Sequence, residues 1–430
     1  MKSKTIQEFK ETEIGKIPTD WEVTELGNVA DVIDPHPSHR APQIVENGFP
    51  FAGIGDIAED GTIDVLSSRK IGEEFVKQQE ESYTIDEFSI GYGRVGTVGK
   101  IVQLRTQTFR YALSPTLAVI NPKNSIDKKF LNSVLHSRQF SNQVFARITG
   151  TTRPTLGIQQ LRKLLIMIPP IDEQKSIGKS LSELTRKIQN LQNQNHTLEQ
   201  IAQAIFKSWF VDFDGVTEFE DSELGKIPKG WSVDKFENHL ELTKGVSYKS
   251  KELMPSNKAL VSLKSINRGG GYTERGLKSF DGKYKDNQIV YENDIVIAQT
   301  DLTQDASVIG KPALIRKSNE FNVLIASLDL IIARPKNNEN LKFYIYHILL
   351  TNKFQNHIYG YTNGTNVLHL GKDGIPNYQF LLPPKKILEK FNQLVSTLIQ
   401  NNHNNHCHIQ TLTKTRDALL PKLMSGEIRV

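Results

Sequence analysis

A single cysteine, Cys407, stands among 430 residues, which excludes a disulfide framework and suits a reducing compartment. Long apolar runs are missing as well. The longest candidates, such as Leu164 to Pro170, have the length of a strand and fall well short of the roughly 20 residues that span a bilayer. No apolar stretch follows the opening MKSKTIQEFK, so a secretory signal is not expected and the chain is read as cytoplasmic, with no membrane partner. Neither sign of charge dominates: 53 Lys and Arg against 48 Asp and Glu leave a formal net charge of +5. That excess permits a polyanion partner without demanding one. What the chain does have is length, since a single core usually stops growing well below this size and more than one domain is expected.

Comparing the chain with itself is the informative step. Residues 11–21 read ETEIGKIPTDW and residues 221–231 read DSELGKIPKGW, with Gly15, Ile17, Pro18 and Trp21 repeated as Gly225, Ile227, Pro228 and Trp231, an offset of 210. Later in each half, Gly150-Thr151 matches Gly364-Thr365, and Ile168-Pro169-Pro170 matches Leu382-Pro383-Pro384, both at an offset of 214. The chain is therefore two copies of one unit. Between these anchors the halves diverge; DPHPSHRAP at 34–42 has no counterpart around 245–258.

Each half opens with short alternating or apolar runs separated by Gly, Pro and Asn-Asp turns, the pattern of a β-rich portion. One helix is expected around 126–147 and another around 339–358, each followed by a short strand that ends in Pro-Pro. Beyond the first Pro pair the apolar positions step by four and three: Ile177, Leu181, Leu184, Ile188, Leu191, Asn195, Leu198, Ala202, Ile205, Trp209. This is a heptad seam with one polar position, Asn195. Shifting by 214 gives Phe391, Val395, Leu398, Asn402, Asn405, Ile409, Leu412, Arg416, Leu419 and Leu423, which keeps the register with a weaker middle. At 1.5 Å per residue a helix over 172–209 is roughly 57 Å long. So narrow a stripe is not buried by one helix alone, and antiparallel pairing of the two is the economical solution. The expected fold class is α+β: two β-rich domains in pseudo-twofold arrangement, separated by two long antiparallel helices forming a coiled coil.

These residues resemble the specificity subunits of Type I restriction–modification systems. The resemblance rests on E-x-G-x-I-P-x-x-W opening each half, GRVGTVGK at 93–100, IPPIDEQK at 168–175, AIFKSWFVDFDG at 204–215 and LLPKLMSGEIRV at 419–430. It implies target recognition domains at 1–170 and 215–384, with conserved spacer helices at 171–214 and 385–430. It also implies a non-catalytic protein that reads an asymmetric, bipartite site in double-stranded DNA. Partners would be two methyltransferase subunits and restriction/translocase subunits, which would carry S-adenosylmethionine, ATP and magnesium, leaving this chain without cofactor. The second half departs from the pattern: 292–311 lacks a counterpart of Arg94-x-Gly96-Thr97, and Lys385-Lys386-Ile387-Leu388-Glu389 follows Pro384 in place of Ile171-Asp172-Glu173-Gln174. Two readers on one face of DNA would sit about one helical turn (~34 Å) or more apart.

Arg, Asn and Gln carry base readout, whereas Lys, Thr and backbone N–H groups mostly hold phosphates. In the first half the candidate DNA contacts are His36, His39 and Arg40 in a Pro-stiffened loop, Arg94 and Lys100 flanking a Gly-rich hairpin, and Thr151, Thr152 and Arg153 after Gly150. In the second half they are Lys244, Tyr248 and Lys249, then Lys264, Asn267 and Arg268 before three glycines, and Asn363, Thr365 and Asn366 around Gly364. A solvated loop is the alternative at each place.

Patterns that suggest catalysis fail on inspection. Gly91-Tyr92-Gly93-Arg94-Val95-Gly96 has the glycines of a dinucleotide fingerprint, but a second β-like run follows where a helix is required. Phe51-Ala52-Gly53-Ile54-Gly55 resembles the donor-binding motif of adenosylmethionine-dependent methyltransferases, yet neither Pro-Pro pair has the polar and aromatic neighbours of the adenine-modifying motif. His403, His406, Cys407 and His408 lie on one helix without a second cluster to complete a zinc site, and read as polar helix surface. No catalytic, cofactor-binding or metal residue is assigned. The rival readings are a self-contained methyltransferase or nuclease, and a scaffold built on the coiled coil.

Overall fold

The computed structural model describes residues 8–36, 42–58, 61–150, 153–301, 306–364 and 367–430. The chain divides into two compact units, one of 1–190 with 410–430 and one of 191–409. Each unit opens with the repeated frame. Phe9–Thr12 pairs antiparallel with Gly15–Pro18 in the first, and Phe219–Ser222 with Gly225–Pro228 in the second. The invariant glycine is required by the turn, with φ of +114° at Gly15 and +95° at Gly225, a region that side chains with a Cβ rarely enter. The frame's apolar residues are core: Ile17 and Trp21 are fully buried, and Ile227 and Trp231 nearly so.

Behind the frame the two units repeat one sheet order. In the first, a four-stranded antiparallel sheet runs Ala30–Ile33, Leu117–Pro122, Ile90–Gly93, Ile101–Gln103. In the second the order is Leu240–Lys244, Leu330–Pro335, Ile295–Ala298, Pro312–Leu314. A second sheet in each contains one parallel pair, Ile44–Ala52 with Ala112–Leu113 and Lys258–Val261 with Val323–Ala326. The units differ at its edge, where the second adds Ile289–Val290 while the first packs helix Glu73–Ser82 on the sheet.

Where one helix was expected in each half there are two: Lys128–Leu135 and Arg138–Phe145, then Leu341–Leu350 and Asn352–Tyr359. The break has a local cause. Ser137 and Thr351 adopt extended backbone and accept a hydrogen bond from the N–H three residues on, each starting a new helix as an N-cap. The segment 93–100 is a hairpin turn, closed by Gly93 N–H to the Lys100 carbonyl at 2.7 Å.

The long helices run Ile171–Phe210 and Lys385–Met424, 40 residues each, and each begins directly after its Pro-Pro pair. Both units use a stretch of both helices. In the first, Ile177 and Leu181 share a core with Leu423 and Met424; in the second, Ala202 and Phe206 share one with Phe391 and Val395. Within each unit the pairing is antiparallel. The remaining seam positions, Leu184, Ile188, Leu191, Leu198, Leu398, Ile409 and Leu412, are buried or half-buried. The polar gap closes on itself: Asn405 donates to the Asn195 side-chain oxygen at 3.0 Å, and Asn402 donates to Glu199 at 3.1 Å.

The second helix also packs against the β-rich part of its unit, which corrects the reading of its histidines as open surface. His403 is 7% exposed and meets Glu292 at 2.9 Å, and Arg316 donates to His406 at 3.2 Å. Burial lowers the His403 pKa although the Glu292 contact opposes it. In the first unit, Trp21 donates to Glu173 at 3.1 Å, and Arg429 bridges Glu173 to Asp20. That guanidinium holds the Asp20 carboxyl below the usual carboxylate range.

Two predictions follow from this packing. His347 is buried among Phe206, Tyr346 and Phe391, and burial pushes its pKa down to about 4, despite its hydrogen bond to the Phe343 carbonyl. The neutral ring is the folded form, so its contribution is complete above an unfolded pKa of about 6.5 and is lost as pH falls toward 4. The second unit is expected to lose on the order of 3 kcal/mol over that window, and His347→Phe to flatten that part of a urea-unfolding pH profile. Arg429→Ala leaves the Glu173 carboxylate, 8% exposed, with Trp21 as its hydrogen-bond partner. Because Arg429 itself is partly exposed, the expected cost to the first unit is about 1–2 kcal/mol in the same assay.

Candidate nucleic-acid interface

In the second unit the end of strand Leu240–Lys244, the turn after Lys258–Val261 and strand Lys278–Ser279 converge on a cleft of about 540 Å³. Lys244, Tyr248, Lys264, Lys278, Gln299 and His369 are among its lining residues. Lys244 and Lys264 are exposed, and among the described residues neither side chain has an ion pair. Lys278 donates to the Tyr248 hydroxyl at 3.2 Å with its ammonium 5.6 Å from the ring centroid, and Tyr248 stands edge-on to Phe280 at 6.5 Å. The aromatic ring is therefore held in place at the wall of a cationic cleft. The Gln299 amide donates to the Leu328 carbonyl, which leaves its side-chain oxygen as an acceptor. Ammonium groups around a tethered ring, with an amide and an imidazole beside them, can hold phosphate and meet base edges.

Other residues singled out from the sequence lie in the same unit. Asn267 and Arg268 sit exposed at the tip of a hairpin closed by the Ile266–Tyr272 bridge and by Asn267 N–H to the Gly271 carbonyl at 3.0 Å. The glycine run thus makes a defined turn rather than a floppy one. Lys249 is exposed, with its backbone N–H bonded to Glu252 at 2.6 Å. Asn363 is exposed in strand Thr362–Asn363, next to Gly364, where a Cβ would lie 2.0 Å from the Val367 carbonyl. Thr365 and Asn366 lie outside the described residues.

The first unit treats its candidates differently. Arg94 is 5% exposed and donates to Asp34 at 2.7 Å. Lys100 donates to the carbonyls of Ile54 and Ile57 at 2.8 and 3.0 Å. His36 is 4% exposed, with the rings of Phe51 and Phe75 at 6.2 and 6.0 Å. The expectation of open groove contacts is corrected for these three: internal partners occupy them, and they tie loops to the sheet. Arg153 is exposed in a hairpin bridged by Thr149–Thr155 and joined to the main sheet by the Val95–Thr155 bridge. His39, Arg40, Thr151 and Thr152 lie outside the described residues. Sequence reasoning missed Lys278 and His369. Each is an unremarked residue of a short strand, brought to the cleft by pairing with remote segments, and only the offset between halves could have flagged them.

Among the described residues no group of three or more His, Cys, Asp or Glu is placed to hold a metal ion. No described helix is long and apolar enough to cross a membrane.

Comparison with known proteins agrees with this geometry. The family described as Type I restriction modification DNA specificity domain matches residues 18–200. The chain is 29% identical to the Type I restriction enzyme MjaIX specificity subunit of Methanocaldococcus jannaschii, over 98% of this chain and 97% of that one. It is 24% identical to the HindI specificity subunit of Haemophilus influenzae, over 95% of this chain and 100% of that one. The crystal structure of the Type I restriction–modification S subunit from M. genitalium shares the fold, with a TM-score of 0.55 at 14% identity, covering 94% of this chain and 96% of that one. With a duplicated frame, a family domain matched over residues 18–200 and relatives matched end to end, the chain is similar along its whole length to Type I restriction–modification specificity subunits.

Proposed function

We infer that this chain gives a multi-subunit Type I restriction–modification enzyme its DNA sequence specificity and performs no chemistry itself. The observation that carries the reading is the repetition of one sheet order in both units with an open, cationic, aromatic-walled cleft in the second. The loops around the sheets diverge between the halves, so we propose two unlike half-sites in double-stranded DNA, one per unit. Target recognition is assigned to 1–170 and 215–384, and the spacer segments 171–214 and 385–430 are proposed to dock two methyltransferase subunits. Restriction/translocase subunits would join for cleavage. S-adenosylmethionine, ATP and magnesium are assigned to those partners, which work with this chain in the cytoplasm.

Mapping methylated adenines across a host genome that expresses the chain with its methyltransferase tests the reading. The expected mark is a motif of two short, unlike blocks at a fixed gap. Methyl transfer by the purified chain alone, or marks without any shared motif, would contradict it. Once the motif is known, Arg153→Ala and Arg268→Ala are each expected to relax one block only, at a cost of about 1–3 kcal/mol in binding titrations at fixed salt.

A further inference from the structure

The duplication allows the two units to be compared position by position, and their charges are opposite. Residues 31–123 carry nine Lys and Arg against thirteen Asp and Glu, whereas the corresponding residues 241–336 carry fifteen against eleven. Strand register places part of the difference at the cleft, where Arg69, paired with Phe51 as Lys278 is with Leu260, keeps the charge of Lys278. Ala30 pairs with Pro122 as Leu240 pairs with Pro335, so Asp34 stands where the second unit has the exposed Lys244. Gly93 pairs with Leu117 as Ala298 pairs with Leu330, so Arg94 stands where Gln299 lines the cleft. The ion pair of Asp34 with Arg94 thus fills, in the first unit, a place that in the second holds Lys244, without an ion pair among the described residues, beside a neutral amide.

The neighbouring turn repeats the contrast. The bridges Ile57–Ile63 and Ile266–Tyr272 close equivalent hairpins, each followed by an equivalent hydrogen bond, Asp64 N–H to the Asp56 carbonyl and Thr273 N–H to the Ser265 carbonyl. In this alignment Lys264 corresponds to Gly55. Asp64 then accepts from the N–H of Leu66 at 3.0 Å, as Thr273 accepts from the N–H of Arg275 at 3.4 Å. One side-chain-capped turn therefore presents Leu66 in the first unit and Arg275 in the second. Leu66 is 97% exposed, the most exposed large apolar side chain described, while a second bond from Ser67 to Asp64 fixes its turn. At 97% exposure Leu66 adds nothing to the core, and its side chain is open to a partner.

We propose that the two units divide DNA binding unequally: the second grips phosphates through its cationic cleft and carries most of the salt-dependent affinity, while the first relies less on phosphates and adds to its half-site an apolar contact from Leu66. This rests on the DNA-reading function above. Phosphate contacts release counterions and give binding its salt dependence, whereas an apolar side chain against a thymine methyl or a base step adds affinity without it.

The test measures Kd of the full-length chain for a random-sequence 40-base-pair duplex between roughly 50 and 200 mM salt. Combining Lys244→Gln, Lys264→Gln and Arg275→Gln is expected to lower the slope of log K against log salt by roughly two to three. Combining Arg69→Gln, Lys70→Gln and Arg105→Gln in the first unit is expected to lower it by less than about one. Leu66→Arg should raise random-duplex affinity and steepen the slope by about one. Leu66→Ala should weaken binding to the mapped motif several-fold while leaving the salt slope and Tm unchanged. Equal slope losses from the two triple variants overturn the proposal, as does a Leu66→Ala chain whose only defect is assembly with the methyltransferase. A wild-type chain without salt-dependent affinity for any duplex defeats the functional reading itself, and the proposal with it.

Discussion

Neither long helix can bury its apolar seam by itself, and this requirement organises the chain. A stripe of one residue in every three or four leaves most of the helix surface polar, so the seam needs a partner of the same narrowness. The duplicated sequence supplies one. In the first unit Ile177 and Leu181 meet the last turns of the second long helix, and in the second unit Phe206 meets Phe391 near its start. Each unit is therefore completed by residues from both ends of the repeat, and neither β-rich portion carries its whole core in contiguous sequence. The asparagines matter most here. A polar group in a seam costs stability unless it finds a partner, and Asn195, Asn402 and Glu199 are in register for it only in the antiparallel arrangement.

On this base the frame is constant and the loops are free to vary. Turn glycines, buried tryptophans and the strand order recur in both units because each answers a requirement of backbone or packing. The segments that differ lie in the loops around the sheets: Asp34 against Lys244, Leu66 against Arg275, a helix in place of an edge strand. Changing these leaves the core untouched, which is the arrangement a protein needs if its target is to change while its assembly does not.

Much of the fold was legible in the sequence. The repeat frame, the strand that ends in Pro-Pro and the helix beginning after it all follow from local chemistry, whereas at the end of the first long helix Phe206 and Phe210 are buried rather than the seam positions Ile205 and Trp209. The single expected helix in each half failed at Ser137 and Thr351, where a capping hydroxyl outweighs continuing apolar periodicity. The site was less legible, for a physical reason. Residue type identifies groups able to contact DNA, but whether they are free to do so depends on partners distant in sequence. Arg94 is held by Asp34, 60 residues earlier, and Lys100 by carbonyls 43 and 46 residues earlier. Lys244 and Tyr248 were recoverable together because they lie close in sequence, and Lys264 separately beside its glycine run, whereas Lys278 and His369 reach the same cleft through strand pairing.

The antiparallel pairing is most directly tested by a disulfide across the seam. In a chain carrying Cys407→Ser, Asn195→Cys and Asn405→Cys together, mild oxidation should close an intrachain bond, because the two native side chains touch at 3.0 Å. The bond should form quickly in the folded chain and raise its resistance to urea. Failure to close, or disulfides formed only between separate chains, would contradict the pairing on which both units depend.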